Sequence, residues 1–311
     1  MVKTREHVLR LFYPHGVISV VEYRFTVIDV VIMLAIILPT TLFIAFSLWR
    51  FRISRNATYD PNFTHSVKLE ILTWGVPFIA VVALAYFSWQ GVFRVNPYAP
   101  TALVRPGVKL GAPPTRGKFH PLVINVIATD WQWLFIYPRQ GIATLNTLDV
   151  PVGRNIEFRL TATDVVNDFY IPQLVGMIDV MPGMRTKDIM RVDQTGTWRG
   201  RSFNFSGAGF AWMQFPTHVL TLTAFRAWVA KQKAAPHRLT YARFSAIARP
   251  TVNLNSRHAD FSHVAPHLFM RVIQAAEDGV TYVTPMALTA HMVTNDKNHA
   301  GYLTDYAHTE F

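Results

Sequence analysis

The stretch Phe25–Trp49, FTVIDVVIMLAIILPTTLFIAFSLW, carries one charge, Asp29, near its start. As a helix it would reach about 37 Å, enough to cross a bilayer with some tilt. A second stretch, Ile71–Phe93 (ILTWGVPFIAVVALAYFSWQGVF), has no charge and is long enough for the same task. Pro39 and Pro77 would kink soluble helices, but membrane helices tolerate them where neighbours satisfy the freed carbonyls. Trp49, Trp74, Tyr86 and Trp89 stand near the ends, as interfacial aromatic anchors do. Two such runs rarely share one soluble domain, so two membrane spans outweigh a buried soluble hairpin.

The residues before Phe25 contain no apolar core of the kind a cleaved signal peptide needs. Arg50, Arg52, Arg55 and Lys68 lie between the spans, and Lys3, Arg5, Arg10 and Arg24 precede them. That balance does not set an orientation by the positive-inside rule. Two spans do place both termini on one side.

The composition agrees with a membrane anchor. Half of the 311 residues are hydrophobic and 16% are charged, an unusual balance for a soluble protein. There is no cysteine, which excludes disulfides, zinc–thiolate sites, iron–sulfur clusters and thiol-linked lipid on this chain. The net charge of +11 is spread out. From Arg94 onward there are 22 Lys/Arg against 14 Asp/Glu, with no dense basic run, so a solvated basic surface is favoured over nucleic-acid binding.

Beyond the spans, Asn96–Lys118 holds five prolines and three glycines and reads as a linker. The period then changes. HPLVINVIATD, IATLNTLDVPV, NIEFRLTATD, NDFYIPQL, GTWRGRSFNF and THVLTLTAF are short and rich in Val, Ile, Thr and Phe, with Gly, Pro and Asn between them. Such spacing predicts an antiparallel β-sandwich or barrel. From about Ala224 the pattern turns helical in AFRAWVAKQK and RLTYARFSAIAR. In PHLFMRVIQAAED, Pro266 suits a first helical turn. The predicted organisation is an N-terminal segment (1–24), a transmembrane helical hairpin (25–95), a linker (96–118), a β-sandwich (119–223), and a C-terminal helical extension and tail (224–311).

Four stretches carry a resemblance: YDPNFTHSVKLEILTWGVP (Tyr59–Pro77), DWQWLFIYPRQGIAT (Asp130–Thr144), NDFYIPQL (Asn167–Leu174) and GRSFNFSGAGFAWMQF (Gly200–Phe215). Together with the two spans, they make the chain similar to subunit II of the haem–copper respiratory oxidases, in particular the cytochrome bo-type ubiquinol oxidases. The likeness runs from about Pro14 to Lys233. It implies a membrane-anchored α+β fold with a cupredoxin-like antiparallel β-sandwich. It also implies a two-pass protein of the bacterial inner membrane, with the loop 50–68 cytoplasmic and the sandwich periplasmic. Relatives often start with a lipoprotein signal and an acylated cysteine; this sequence begins MVKTREHVLR and shows neither.

In cytochrome c oxidases of this superfamily, subunit II holds a two-copper centre of two thiolates, two imidazoles, a thioether and a backbone carbonyl. By position, the thiolates fall at Ser202 and Ser206, the carbonyl donor at Asn204, the imidazoles at Asn167 and Phe210, and the thioether at Met213. Of the side-chain ligands, only Met213 keeps its type. Bridged copper needs soft deprotonated sulfur; a serine hydroxyl is hard and protonated, and a phenyl ring has no lone pair. The implied chain binds no metal or cofactor and has no catalytic residue. Haem and copper belong to a partner subunit I, ubiquinol is the substrate of the complex, and no soluble cytochrome c docks. The expected partners are subunit I, the other membrane subunits and the lipid bilayer. A stand-alone, membrane-anchored periplasmic binding or adaptor module on the same sandwich is the alternative.

Glu70 has two open readings. One is a carboxylate favoured by the macrodipole near a helix N-terminus. The other, implied by the resemblance, is a carboxylate at the mouth of a proton channel into subunit I, since an ionisable group at the membrane edge suits a relay. Asp29 reads as an interfacial carboxylate in preference to one paired with the large subunit. Trp131, Trp133, Phe135 and Tyr137 alternate as on one strand face and read as packing or subunit contact. His258, His263 and His267 invite a metal reading, but Pro266 interrupts the pair at 263 and 267 and no acidic partner fits a zinc motif.

Overall fold

The computed structural model describes residues 13–52, 66–98, 121–250 and 258–282. Most of the expected linker and the expected tail after Tyr282 lie outside these, as do Lys3, Arg5, Arg10 and Arg55. The chain forms two compact units, Val20–Asn96 and, separately, Met1–Ser19 with Pro97–Phe311.

In the first unit, α1 (Val17–Arg50) and α2 (Val67–Val95) are 34 and 29 residues long. Both exceed the roughly 20 residues a bilayer requires. Leu42, Phe43, Ile71, Trp74 and Phe78 point outward along them, a surface that water would not tolerate. The helices form a hairpin. Arg94 near the end of α2 lies 5.8 Å from the Phe25 ring near the start of α1, and Gly91 faces the same ring. Helix α1 starts eight residues before the predicted span. Its Pro39 does not break it.

Residues 13–19 belong to the second unit. The amides of His15 and Gly16 donate to the Gln173 carbonyl at 2.7 and 2.9 Å, and that of Val17 to Arg191 at 3.0 Å. The Ser19 hydroxyl donates to the carbonyls of Gly16 and Gln173. Gly16 is required: a Cβ there would lie 1.8 Å from the Leu174 carbonyl oxygen.

The second unit is a two-sheet sandwich. Its strands are β1 (Leu122–Ala128), β2 (Trp133–Tyr137), β3 (Ile142–Leu145), β4 (Leu148–Pro151), β5 (Ile156–Ala162), β6 (Asn167–Ile171), β7 (Val175–Val180), β8 (Thr186–Met190), β9 (Gly196–Arg201), β10 (Gln214–Leu220), β11 (His237–Leu239) and β12 (Ala259–Val264). One sheet runs β11-β12-β3-β2-β1-β5-β8 and the other β4-β10-β9-β6-β7. The predicted antiparallel sandwich is in fact mixed: β1 pairs with β5, β4 with β10 and β11 with β12 in parallel. Long crossovers make these pairs, and period-2 alternation is blind to strand direction.

The alternation of β2 explains the layers. Trp133, Phe135 and Tyr137 face the inner core with Phe158, Phe169 and Phe215. The Phe169 and Phe215 rings stack at 5.6 Å, and Phe135 meets Phe215 edge-on at 4.9 Å. Leu134 and Ile136 face the other way, into a second core roofed by α4 (Tyr241–Ala248) and α5 (Leu268–Glu277). Strand β2 carries only three of the four expected aromatics; Trp131 precedes it, and all four lie in the inner core as packing. Helix α3 (Leu222–Lys233) is capped by Thr221 and sets Trp228 against Tyr137 at 5.2 Å.

The C-terminal extension is not purely helical, since β11 and β12 lengthen the larger sheet. Pro266 stands before α5, not inside its first turn, and His267 takes a left-handed φ of 59° at the N-cap.

Candidate functional site

All six positions matched to the copper centre gather at one end of the sandwich. Asn167 opens β6, Ser202 follows β9, and residues 204–213 form the loop into β10. Asn167 is fully buried. Its side-chain oxygen accepts from the Ser202 hydroxyl at 3.2 Å and the Ser206 hydroxyl at 2.9 Å. Its amide group donates to the Val165 carbonyl at 3.2 Å. Ser202 Oγ also accepts from the Asp168 amide at 3.2 Å. Each polar group is thus matched inside the cluster, as buried polar groups must be.

The loop around the cluster is held by aromatics. Asn204 donates to the Val166 carbonyl at 2.9 Å. Trp131 Nε1 donates to the Ser206 carbonyl at 2.9 Å. The indole lies so close to Gly207 and Gly209 that a Cβ on either would sit 2.5 Å from it. Gly207 also has a φ of 123°, a conformation glycine adopts readily. Phe210 begins a short 3₁₀ turn, Phe210–Trp212, and meets Phe205 edge-on at 5.8 Å. Met213 is buried, and its carbonyl accepts from Ser202 N at 3.2 Å and Trp133 Nε1 at 3.4 Å.

This donor set does not fit a two-copper centre. Two hydroxyls sit where thiolates must bridge, and the positions for imidazole hold an amide and a phenyl ring. Asn167 ties both hydroxyls into a neutral network.

The carboxylates around the cluster were not legible as a group in the sequence. Asp130 is buried beside Trp131, and burial first, then the charge of Asp164, pushes it up to about 7. Asp164 Oδ1 accepts from the Tyr282 amide at 2.9 Å. One oxygen on each of Asp130 and Asp164 is buried without a partner among the described residues. Asp168 faces Asp179 across β6 and β7, and burial plus that carboxylate push it up to about 6.

The other candidates lie elsewhere. Glu70 is in the first turn of α2. Asp29 lies in α1 and has one buried oxygen without a partner among the described residues. His258 bonds Thr147, His263 lies on β12, and His267 stands at the N-cap position of α5 without a side-chain capping bond. Among the described residues no three histidines or carboxylates converge as a metal-ligand set.

Residues 139–221 match the family described as cytochrome c oxidase subunit II, periplasmic domain. The chain is 34% identical over 268 residues to the cytochrome bo(3) ubiquinol oxidase subunit 2 of Pseudomonas putida, covering 86% of this chain and 80% of that one. It is 36% identical over 251 residues to the ubiquinol oxidase subunit 2 of Acetobacter aceti, covering 80% and 77%. Among solved structures, the periplasmic domain of subunit II of cytochrome oxidase from Bradyrhizobium japonicum is similar at 25% identity, covering 35% of this chain and 91% of that one, with a TM-score of 0.35. With relatives aligned at this identity across most of both chains, the protein belongs to the ubiquinol oxidase subunit 2 family.

Proposed function

We propose that this chain is the non-redox subunit II of a proton-pumping ubiquinol oxidase of the bacterial inner membrane. The complex takes electrons from ubiquinol to O₂, with haem and copper in subunit I, and the sandwich stands in the periplasm. The carrying observation is the Asn167–Ser202–Ser206 network, which occupies the copper positions with hydroxyls and an amide. A chain without that relay has no acceptor for a one-electron donor, which leaves the membrane quinol. Its work is assembly and docking onto subunit I, with proton uptake at Glu70.

Two surfaces support docking. The outward apolar faces of α1 and α2 suit lipid and partner helices. Beside the polar cluster, Phe205 is 79% exposed, with Phe203 and Trp212 also turned outward. Exposed aromatics at a loop tip are suited to interface anchors.

The test is purification of the tagged chain in mild detergent. Expected are a co-purifying haem spectrum, O₂ consumption driven by ubiquinol, none driven by reduced cytochrome c, and no copper on the separated chain. A chain that purifies alone, or that binds two copper ions stoichiometrically, overturns the reading.

A further inference from the structure

A cleft of about 310 Å³ lies between the outer face of the larger sheet and the start of α5. Asn125, Ile136, Arg159, Arg185, His267 and Phe269 line it. The strand register places Ile136, Asn125 and Arg159 side by side, and same-row residues project from the same face. On one side of that row the face is apolar and roofed by α4 and α5; on the other it is charged, with Lys187 paired opposite Arg159.

The charge there is unbalanced. Glu157 serves both Arg159, at 2.9 Å through Nε, and Lys187, at 3.6 Å. Arg185 is exposed and has no carboxylate partner among the described residues. Two cations thus share one anion, and a third has none. The terminal nitrogens of two guanidiniums are available on one cleft, an arrangement suited to bidentate recognition of phosphate. The cleft also holds an unmet acceptor: Asn125 Oδ1 is buried without a hydrogen-bond partner among the described residues. An anion with only oxygen acceptors would satisfy the arginines and not this atom. A ligand that also carries a hydroxyl donor would satisfy both.

We propose that this cleft binds a phosphate bearing an adjacent hydroxyl, as in a glycerol phosphate group. Arg159 and Arg185 hold the phosphate, and Asn125 accepts from the hydroxyl. The group can come from a free phosphate monoester or from the diester of a phosphatidylglycerol headgroup; both present a charged phosphate with a hydroxyl on the neighbouring carbon.

The experiment uses the full chain in detergent. sn-Glycerol 3-phosphate is titrated by calorimetry, and separately mixed micelles containing phosphatidylglycerol are compared with micelles of phosphatidylcholine. Saturable binding is expected, weakened about tenfold or more in Arg185→Gln, because a charge-assisted contact to an exposed, foldable position is lost. Asn125→Ala is expected to weaken glycerol 3-phosphate and leave sulfate, a tetrahedral anion with no hydroxyl, unchanged. Arg226→Gln, on the exposed face of α3, is expected to bind like the parent. Circular dichroism melts confirm that each variant is folded. Binding of free glycerol 3-phosphate identifies a soluble ester; binding of phosphatidylglycerol alone identifies the headgroup. No saturation with either probe, or equal loss in Arg185→Gln and Arg226→Gln, overturns the proposal. These readouts do not depend on oxidase activity, so they stand apart from the test of the oxidase role.

Discussion

Trp131 Nε1 donates to the Ser206 carbonyl at 2.9 Å, tying the strand β2 approach to a loop 75 residues later. The indole packs against glycines on both sides of Ala208, so the loop closes only because Gly207 and Gly209 lack side chains. Gly209→Ala forces overpacking, with an expected loss of about 1–3 kcal/mol. Trp131→Phe keeps most of the ring and removes one hydrogen bond, costing about 1 kcal/mol. Thermal melts of the two variants should rank in that order.

Asn167 is the shared acceptor for Ser202 and Ser206. Asn167→Ala leaves buried hydroxyls unmatched and should cost about 1–3 kcal/mol. The combined variant Asn167→Leu, Ser202→Ala, Ser206→Ala removes donors with acceptor and should recover part of that loss. Urea unfolding curves check both; if the triple variant is no more stable than Asn167→Ala, the network is not the source of the loss.

Stability should depend on Asp130. Burial raises its carboxyl to about 7, above the ordinary 3.8, so between these values the folded state holds a proton the unfolded chain has released. That contribution is full below about pH 4 and is lost as pH rises through 7. Asp130→Asn should therefore raise the melting temperature at pH 8, with the gain over the parent shrinking toward pH 5. The difference at pH 8 is expected to be on the order of 1–2 kcal/mol. Melts from pH 5 to 8 read it directly.

Gly16→Val should detach the N-terminal segment from the sandwich, since its Cβ would collide with the backbone of Leu174. Amides 15–17, bonded to Gln173 and Arg191 in the parent, should lose protection against hydrogen exchange.

Glu70→Ala in the assembled oxidase should slow proton uptake and turnover, with Glu70→Asp restoring part of it. Unchanged turnover and unchanged charge translocation in Glu70→Ala would remove the proton role and leave Glu70 as a helix-terminal carboxylate in the first turn of α2.

Much of the architecture is local information. The two spans follow from uninterrupted apolar length, and β1, β5, β6 and β10 from alternation of period 2. That the donors do not fit a two-copper centre needs only the residue identities at Ser202, Ser206 and Phe210. What local pattern could not supply was pairing. The parallel partners of β1 and β4 and the three-residue strand β11 are defined by hydrogen bonds to distant segments. The docking of residues 15–19, and the burial that brings Asp130 against Asp164, depend on the same closure. Hydrophobic length and side-chain chemistry reside in the residues themselves, and these alone determined the anchor and the absence of a copper-binding donor set. Strand direction, the Asn167 network and the Arg159–Arg185 cleft were decided by tertiary structure, because each exists only when residues far apart in the chain are brought within hydrogen-bonding or charge range.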